Sequence, residues 1–310
     1  MADFAIALHG GAGTIIKEKM TIKKEKAYKK ILSQALKKGY SILEKKGKAN
    51  DAVQAAIMVM ENSPLFNAGK GSVFSAEGTH EMEASIMDGK TRQAGSVAMI
   101  TGVKNPISLA RAVMEQSPHV FLVGESALKL AKSLNLKMEK AAYFHDEFRY
   151  QQWQEIRGSE KFQLDHSAKK NQNLGTVGCV ALDQQGDLAA ATSTGGMTNK
   201  QSGRIGDSSI LGAGNYAHNK TCAVSCTGYG EYFIRSVAAY DVSCLMEFKG
   251  LSLKEACQEV IHQRVLELGG SGGLIAIDRR GHIEMPFNTE GMYRACQSST
   301  GKNELAIYKD

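Results

Sequence analysis

Cysteine is missing from the first 178 residues, and the six present (Cys179, Cys222, Cys226, Cys244, Cys257, Cys296) form no C-x-x-C pair. Cys222 and Cys226 have the wrong spacing for a zinc ribbon and lack histidines in a finger pattern. The pattern argues against a disulfide framework and predicts buried, reduced thiols in a cytoplasmic protein. No apolar run approaches the roughly 18 residues of a membrane-spanning helix. The N-terminus, Met1-Ala2-Asp3-Phe4-Ala5-Ile6-Ala7-Leu8-His9, has an acidic third residue and no basic region, so it reads as a strand rather than a secretion signal. Proline is scarce, at 4 of 310 residues, while glycine is somewhat enriched at 32. Glycine suits tight turns and close backbone approach to a ligand.

The composition is otherwise that of a globular chain, 43% hydrophobic and 23% charged, and its length allows one large domain or two ordinary ones. The net charge of +6 is largely local, in the lysine-rich stretch 17–48. There Tyr28, Ile31, Leu32, Ala35, Leu36, Ile42 and Leu43 recur at the spacing of an amphipathic helix, which leaves the lysines on the solvated face. A nucleic-acid role is the competing reading, but no aromatic interleaving or nucleic-acid module accompanies the charge.

Strands are predicted at 4–8, 81–87, 96–101, 177–181, 188–192, 223–227, 274–278 and 282–285. Helices are predicted from Asp51, with Asn50 or Asp51 as cap, from Asn105-Pro106 with Asn105 as cap, and over 125–133, 231–248 and 252–268. Ser252-Leu253-Lys254-Glu255 matches a capping box. His9-Gly10-Gly11-Ala12-Gly13 and Asn67-Ala68-Gly69-Lys70-Gly71 read as glycine loops. This order of strands, helices and strands favours antiparallel sheets covered by helices, a layered α/β sandwich. Residues 158–175, GSEKFQLDHSAKKNQNLG, are polar and nearly free of apolar side chains, so they read as a flexible linker.

Thr176 opens a strand just after that linker. If the chain were cut there, one residue would carry both a hydroxyl and a free α-amine, a nucleophile with its own base. The amine titrates near ~7.7–8.0 and could accept a proton at neutral pH. Read by itself, Thr176 is equally a β-favouring residue at a strand start. Downstream, Thr192-Ser193-Thr194-Gly195-Gly196, Gly203-Arg204-Ile205-Gly206-Asp207-Ser208 and Thr227-Gly228-Tyr229-Gly230-Glu231 stand where strands end, positions suited to converge on one pocket. The N–H groups of Gly228 and Gly230 could cradle an oxyanion or carboxylate, although each cluster alone is also a simple turn.

Taken in order with His9-Gly10-Gly11-Ala12-Gly13, Pro64-Leu65-Phe66-Asn67-Ala68-Gly69, Gly175-Thr176-Val177-Gly178 and Pro286-Phe287-Asn288-Thr289-Glu290-Gly291-Met292, the first two of these motifs, at 192–196 and 203–208, closely resemble the isoaspartyl peptidase/L-asparaginase family, the plant-type or type III asparaginases. The resemblance runs from His9 to about Arg294. It implies a four-layer αββα sandwich, the N-terminal-nucleophile hydrolase fold, in a single domain over residues 1–310. It further implies self-cleavage between Gly175 and Thr176 into an α chain, 1–175, and a β chain, 176–310, assembled as a dimer of αβ units. L-Asparagine and β-aspartyl dipeptides are the implied substrates, with no nucleic-acid or membrane partner.

By the same resemblance Thr176 is the nucleophile, Thr194 orients its hydroxyl, and Thr227 with Gly228 forms the oxyanion hole. Arg204 grips the substrate α-carboxylate, Asp207 with Gly230 holds the α-ammonium, and Asn67 steadies the nucleophile's amine. No cofactor is implied for catalysis. A structural Na⁺ is implied on the main-chain carbonyls of Met60, Glu61, Ser63, Phe66, Ala68 and Lys70. Glycosylasparaginase-like and threonine-aspartase-like hydrolases, or a non-enzymatic binding module, are the other readings.

Overall fold

In a computed structural model, which describes residues 3–158 and 175–309, the chain starts with β1 (Ala5–Gly13), α1 (Ile22–Glu44), α2 (Ala49–Glu61), β2 (Met82–Asp88) and β3 (Ala94–Ile100). It continues through α3 (Pro106–Gln116), β4 (Phe121–Val123), α4 (Gly124–Ser133), α5 (Ala141–Phe144) and α6 (Glu147–Ile156). After Thr176 come β5 (Val177–Leu182), β6 (Leu188–Thr194), β7 (Asn215–Ala217), β8 (Cys222–Gly228), α7 (Gly230–Ser236), α8 (Ala238–Lys249) and α9 (Leu253–Glu259). A π-helical turn, Val260–Arg264, extends α9, and β9 (Gly272–Asp278), β10 (Ile283–Glu284), β11 (Gly291–Ser298) and β12 (Asn303–Tyr308) follow. Apart from its end residues, the linker expected at 158–175 lies outside the described residues.

Among the described residues the strands form two sheets, one of eight strands ordered β12-β11-β1-β5-β6-β2-β3-β4 and one of four ordered β10-β9-β8-β7. All neighbours run antiparallel except β3 and β4. The protein is thus a mixed α/β fold with three apolar layers. One lies between the large sheet and α1, α2 and α3, one between the two sheets, and one between the small sheet and α8 and α9. In α1 the buried residues are Tyr28, Leu32, Ala35, Leu36, Gly39 and Leu43, so the lysines are indeed turned outward. No helix of the described residues is long and apolar enough to cross a membrane.

Several expectations are corrected. The cap of α2 is Lys48, not Asn50 or Asp51, and Lys48 makes no side-chain cap bond. The carboxylate of Asp183, from the β5–β6 turn, accepts the Ala49 N–H at 2.9 Å instead. Asn105 does occupy the cap position of α3, with Pro106 next, but its side chain donates to Glu61 (3.0 Å) while Glu61 itself accepts the Ile107 N–H (3.0 Å). Tertiary partners have taken over both caps. The single helix expected over 231–248 is broken at Val237, whose φ of +49° is left-handed and separates α7 from α8. His9 to Gly13 continues β1 rather than leaving it, with a bulge between His9 and Ala12. The capping box at Ser252 is present.

Asp183 also accepts from Gln185 and Asp187 N–H groups (2.9 and 3.0 Å). Asp183→Ala therefore removes a turn and a helix cap together, and chemical denaturation should show a loss of about 2 kcal/mol.

Candidate active site

Alternation along each strand sends successive residues to opposite faces. On the faces that meet between the sheets, one end is apolar and the other polar. Ala5 and Ala7 lead to His9 in β1, Leu182 and Val180 to Gly178 in β5 and to Thr176 just before it, and Leu188 and Ala190 to Thr192 and Thr194 in β6. Met87 leads to Ser85 and Glu83 in β2, and Ala223 to Ser225 and Thr227 in β8. The intervening residues Ile6, Leu8, Val177, Cys179, Ala189 and Ala191 pack toward the helices. The site is the polar end of the inter-sheet layer.

Thr176 is buried there, its hydroxyl 3.2 Å from Ser208 Oγ. Its carbonyl accepts a hydrogen bond from Nδ1 of the buried His9 at 3.0 Å. A carbonyl can only accept, so Nδ1 carries the proton and Nε2 accepts from Ser225 Oγ, 3.0 Å away, which in turn meets Thr192 Oγ1 at 2.9 Å. Burial pushes the His9 imidazole down to about 3 against the opposing backbone bond, so the ring stays neutral and holds one tautomer. The contact requires glycine at 178, because a β-carbon there would lie 2.2 Å from His9 Nε2 and 2.0 Å from Ser225 Oγ.

Gly175, the residue before Thr176, is pressed between two elements. A β-carbon on Gly11, whose φ is +110°, would fall 2.4 Å from Gly175 N, and one on Gly175 would fall 2.8 Å from Thr227 Oγ1. That Thr227 hydroxyl is buried and has no hydrogen-bond partner among the described residues. An unpartnered donor beside a peptide group is equipped to stabilise charge developing on a carbonyl oxygen.

Next to Ser208 lies a charged pocket. Arg204 makes a bidentate pair with Glu231 through Nε and Nη2, both 3.0 Å. Asp207 is buried, with Oδ2 unpartnered among the described residues and Oδ1 2.9 Å from where a β-carbon on Gly230 would sit. Burial pushes the Asp207 carboxyl up to about 7, with Arg204 pulling the other way. The pocket thus sets a guanidinium, its Nε and Nη2 edge paired with Glu231, beside a buried acid with one unpartnered oxygen, charges that suit a ligand bearing both a carboxylate and an ammonium group.

Thr194 ends β6, where the β5–β6 register carried one step beyond Val177↔Ser193 sets it opposite Thr176. Its hydroxyl accepts the Gly196 N–H at 3.0 Å. Asn67 donates to the Gly196 carbonyl (2.6 Å), accepts from Val73 N–H (3.1 Å) and takes the Gly195 N–H on its own carbonyl (3.0 Å), which ties its loop to the turn after β6. Gly228 closes β8 beside Thr227. The sequence reading did not single out Ser208 as a site residue, although it stands in a quoted motif, nor Ser225, Glu231, Glu83 or Lys200. Glu83 had a readable signal, an acid inside an expected strand.

In the 60–70 loop, a β-carbon on Gly69 would lie 2.5 Å from the Glu61 carbonyl and one on Gly71 would lie 2.2 Å from the Phe66 carbonyl. Two of the loop carbonyls named above therefore turn toward the 69–71 backbone. Lys70 directs its ammonium over the Tyr143 ring, 5.3 Å from the centroid. The described residues hold no group of three or more His, Cys, Asp or Glu side chains that could bind a metal ion.

A family model described as "Asparaginase" matches residues 2–307. The chain is 48% identical over 313 aligned positions to the isoaspartyl peptidase of Escherichia coli (strain K12), covering 100% of this chain and 98% of that protein. It is 41% identical to the isoaspartyl peptidase/L-asparaginase of Mus musculus, over 90% of this chain and 83% of the relative. It is also 41% identical to the plant-type L-asparaginase of Pyrococcus abyssi, over 97% and 98%. With a family match over residues 2–307 and relatives this similar over most of their lengths, the chain belongs to the asparaginase family, a family of hydrolases.

Proposed function

We propose that this protein is a self-processing threonine hydrolase that releases L-aspartate from L-asparagine and from β-aspartyl dipeptides. The observation that carries the reading is the pair of unpartnered buried polar atoms, Thr227 Oγ1 beside Gly175 and Asp207 Oδ2 beside Arg204. The names of the relatives support both substrate classes.

In the first reaction the Thr176 hydroxyl attacks the Gly175 carbonyl, the acyl group shifts from nitrogen to oxygen, and water hydrolyses the ester. The products are an α chain, 1–175, and a β chain, 176–310, of one domain. Residues 158–175 serve as the α-chain tail. The freed α-amine of Thr176 then acts as base for its own hydroxyl in the second reaction. Arg204 takes the substrate α-carboxylate and Asp207 with the Gly230 carbonyl takes the α-ammonium, so the β-carbonyl meets Thr176. Thr194 polarises the nucleophile, Asn67 steadies its amine, and Thr227 with the Gly228 N–H stabilises the oxyanion. Losing one such donor costs about 2.7–4 kcal/mol of barrier.

The architecture is read as the αββα sandwich of N-terminal-nucleophile hydrolases, assembled as a dimer of αβ units in the cytoplasm, without a nucleic-acid or membrane partner. The carbonyls of Met60, Glu61, Ser63, Phe66, Ala68 and Lys70 would hold a structural Na⁺. An all-oxygen set suits a hard cation, and the carbonyls of Glu61 and Phe66 both lie against the 69–71 backbone of this loop. The ion would brace the loop that carries Asn67.

Intact mass spectrometry tests the processing step, with two fragments meeting at Gly175/Thr176 as the expected result. Parallel kinetics on L-asparagine, β-Asp-Leu and glycosyl-asparagine test the substrate class, and turnover of glycosyl-asparagine alone would overturn it.

A pH dependence follows from Asp207. With its carboxyl pushed up to about 7, the folded protein retains a proton that the unfolded chain has lost above about 4, so burial of Asp207 lowers stability as pH rises from about 4 to about 7. Binding runs the other way, because the α-ammonium requires the carboxylate. The KM for L-asparagine should fall as pH rises through about 7. Asp207→Asn should flatten that profile and raise KM about 10- to 100-fold, as loss of a charged hydrogen bond of roughly 1.5–3 kcal/mol implies.

A further inference from the structure

The turn that carries Arg204, Asp207 and Ser208 is held from beneath by strand β2. Glu83 is fully buried, and both its carboxylate oxygens accept the Gly206 N–H, at 3.1 and 3.0 Å. One of them also accepts from Ser209 Oγ at 2.9 Å. The grip falls on either side of Asp207 and two residues beyond Arg204. Two residues further along β2, Ser85 Oγ donates to the Ser208 carbonyl at 2.6 Å and completes the support.

The counter-charge of Glu83 is Lys200, which is 1% exposed, with Nζ 3.6 Å from the carboxylate and donating to the Glu81 carbonyl at 2.7 Å. Burial pulls the Lys200 ammonium below its ordinary value, and Glu83 opposes that pull. The same ammonium and Arg204 Nη1 lie 2.9 and 3.4 Å from the point where a β-carbon on Gly196 would sit, so the charge pair adjoins the recognition pocket. A pair this deep is weak evidence for stability, since an apolar pair of similar volume is often as stable. What an apolar pair cannot supply is the carboxylate's simultaneous hold on a backbone N–H and a hydroxyl.

We propose that Glu83, neutralised by Lys200, is a positioning residue that fixes Arg204 and Asp207 at the spacing of an α-carboxylate and an α-ammonium. It thereby sets selectivity for a free L-aspartyl head group. The inference rests on the functional reading above and extends it to two residues remote from the reacting bond. If the turn drifts, two-point recognition is lost first, because displacement by about 1 Å is enough to spoil an aligned site.

The test compares kcat/KM for L-asparagine and for β-alaninamide, which is L-asparagine without its α-carboxylate. Wild-type, Glu83→Gln and Glu83→Leu/Lys200→Met proteins are used after processing. Glutamine keeps the volume of the side chain but has one acceptor oxygen in place of two. The double variant removes both members of the Glu83–Lys200 pair, so neither is left facing the other's absence, and it serves if the single variant is unstable. The expected result is a rise in KM for L-asparagine of about tenfold with kcat within about threefold, and a smaller rise for β-alaninamide, which keeps the ammonium for Asp207 but has no carboxylate for Arg204, so the ratio of the two kcat/KM values falls. A purely structural role would lower both substrates equally and leave the ratio unchanged. Active wild type with an unchanged ratio in the folded variants overturns the inference alone. Wild type that hydrolyses neither substrate overturns the functional reading and the inference with it.

Discussion

Thr176→Ala protein is expected to purify as one uncut chain and to release no measurable ammonia from L-asparagine. The substitution removes the only group proposed to attack either carbonyl. Loss of a nucleophile that works with its neighbours as a unit costs roughly 10⁴-fold or more in kcat, and none of the remaining groups can replace it. The fold should survive, because the hydroxyl makes a single 3.2 Å contact with Ser208 while Val177 onward is held in the centre of the large sheet. Thermal denaturation should therefore differ from wild type by about 1 kcal/mol. Thr176→Ser retains the oxygen and should still cleave, more slowly. Intact mass and an ammonia assay read both variants, and a cut Thr176→Ala chain would falsify the assignment of the nucleophile.

Gly11→Ala is expected to stop or severely slow the same cleavage without touching the nucleophile. A methyl at this position would sit 2.4 Å from Gly175 N and 2.7 Å from Gly175 Cα, distances that real side chains do not tolerate. Alanine is also strained at a φ of +110°. Because Gly175 is caught between Gly11 and Thr227, it has to move away from one or the other, and a shift of about 1 Å in a reacting group can cost about 100-fold. A time course of the two fragments on a denaturing gel measures this. Cleavage at the wild-type rate would show that the Gly11–Gly175 contact is incidental. Activity after forced processing, for example with the two chains expressed separately, should be affected far less, since Gly175 then carries a free carboxylate and can leave.

Most strands and helices were legible because their residues alternate or recur with the right period. Tyr28, Leu32, Leu36 and Leu43 revealed one face of α1, and the apolar runs at 177–181 and 188–192 revealed β5 and β6. The site motifs were legible for a different reason, their order along the chain. What could not be read was long-range partnership. Asp183 caps a helix 134 positions away, Glu61 serves a second helix, and Glu83 grips a turn 123 positions on. Each uses an acid whose own surroundings give no hint of its target. Strands β11 and β12 went unrecognised because Gly291 to Tyr308 mixes polar and apolar residues without clear alternation, and the pairing of β11 with β1 and of β12 with β11 supplies the order that the local pattern lacks. The break at Val237 was hidden because a β-branched residue is a poor candidate for a left-handed position.

The strand order of the large sheet bears on what becomes of a chain severed before Thr176. Strands β1 to β4 precede the cut and the others follow it, yet the sheet reads late, late, early, late, late, early, early, early from one edge to the other. The two pieces are laced through each other, with β1 enclosed between β11 and β5 and with β6 bonded to β2. Neither piece can drift off without tearing three seams of backbone hydrogen bonds, β11 to β1, β1 to β5 and β6 to β2. That peptide link is therefore mechanically redundant, and a new chain end could be created in the middle of the molecule while the halves stay locked as one body.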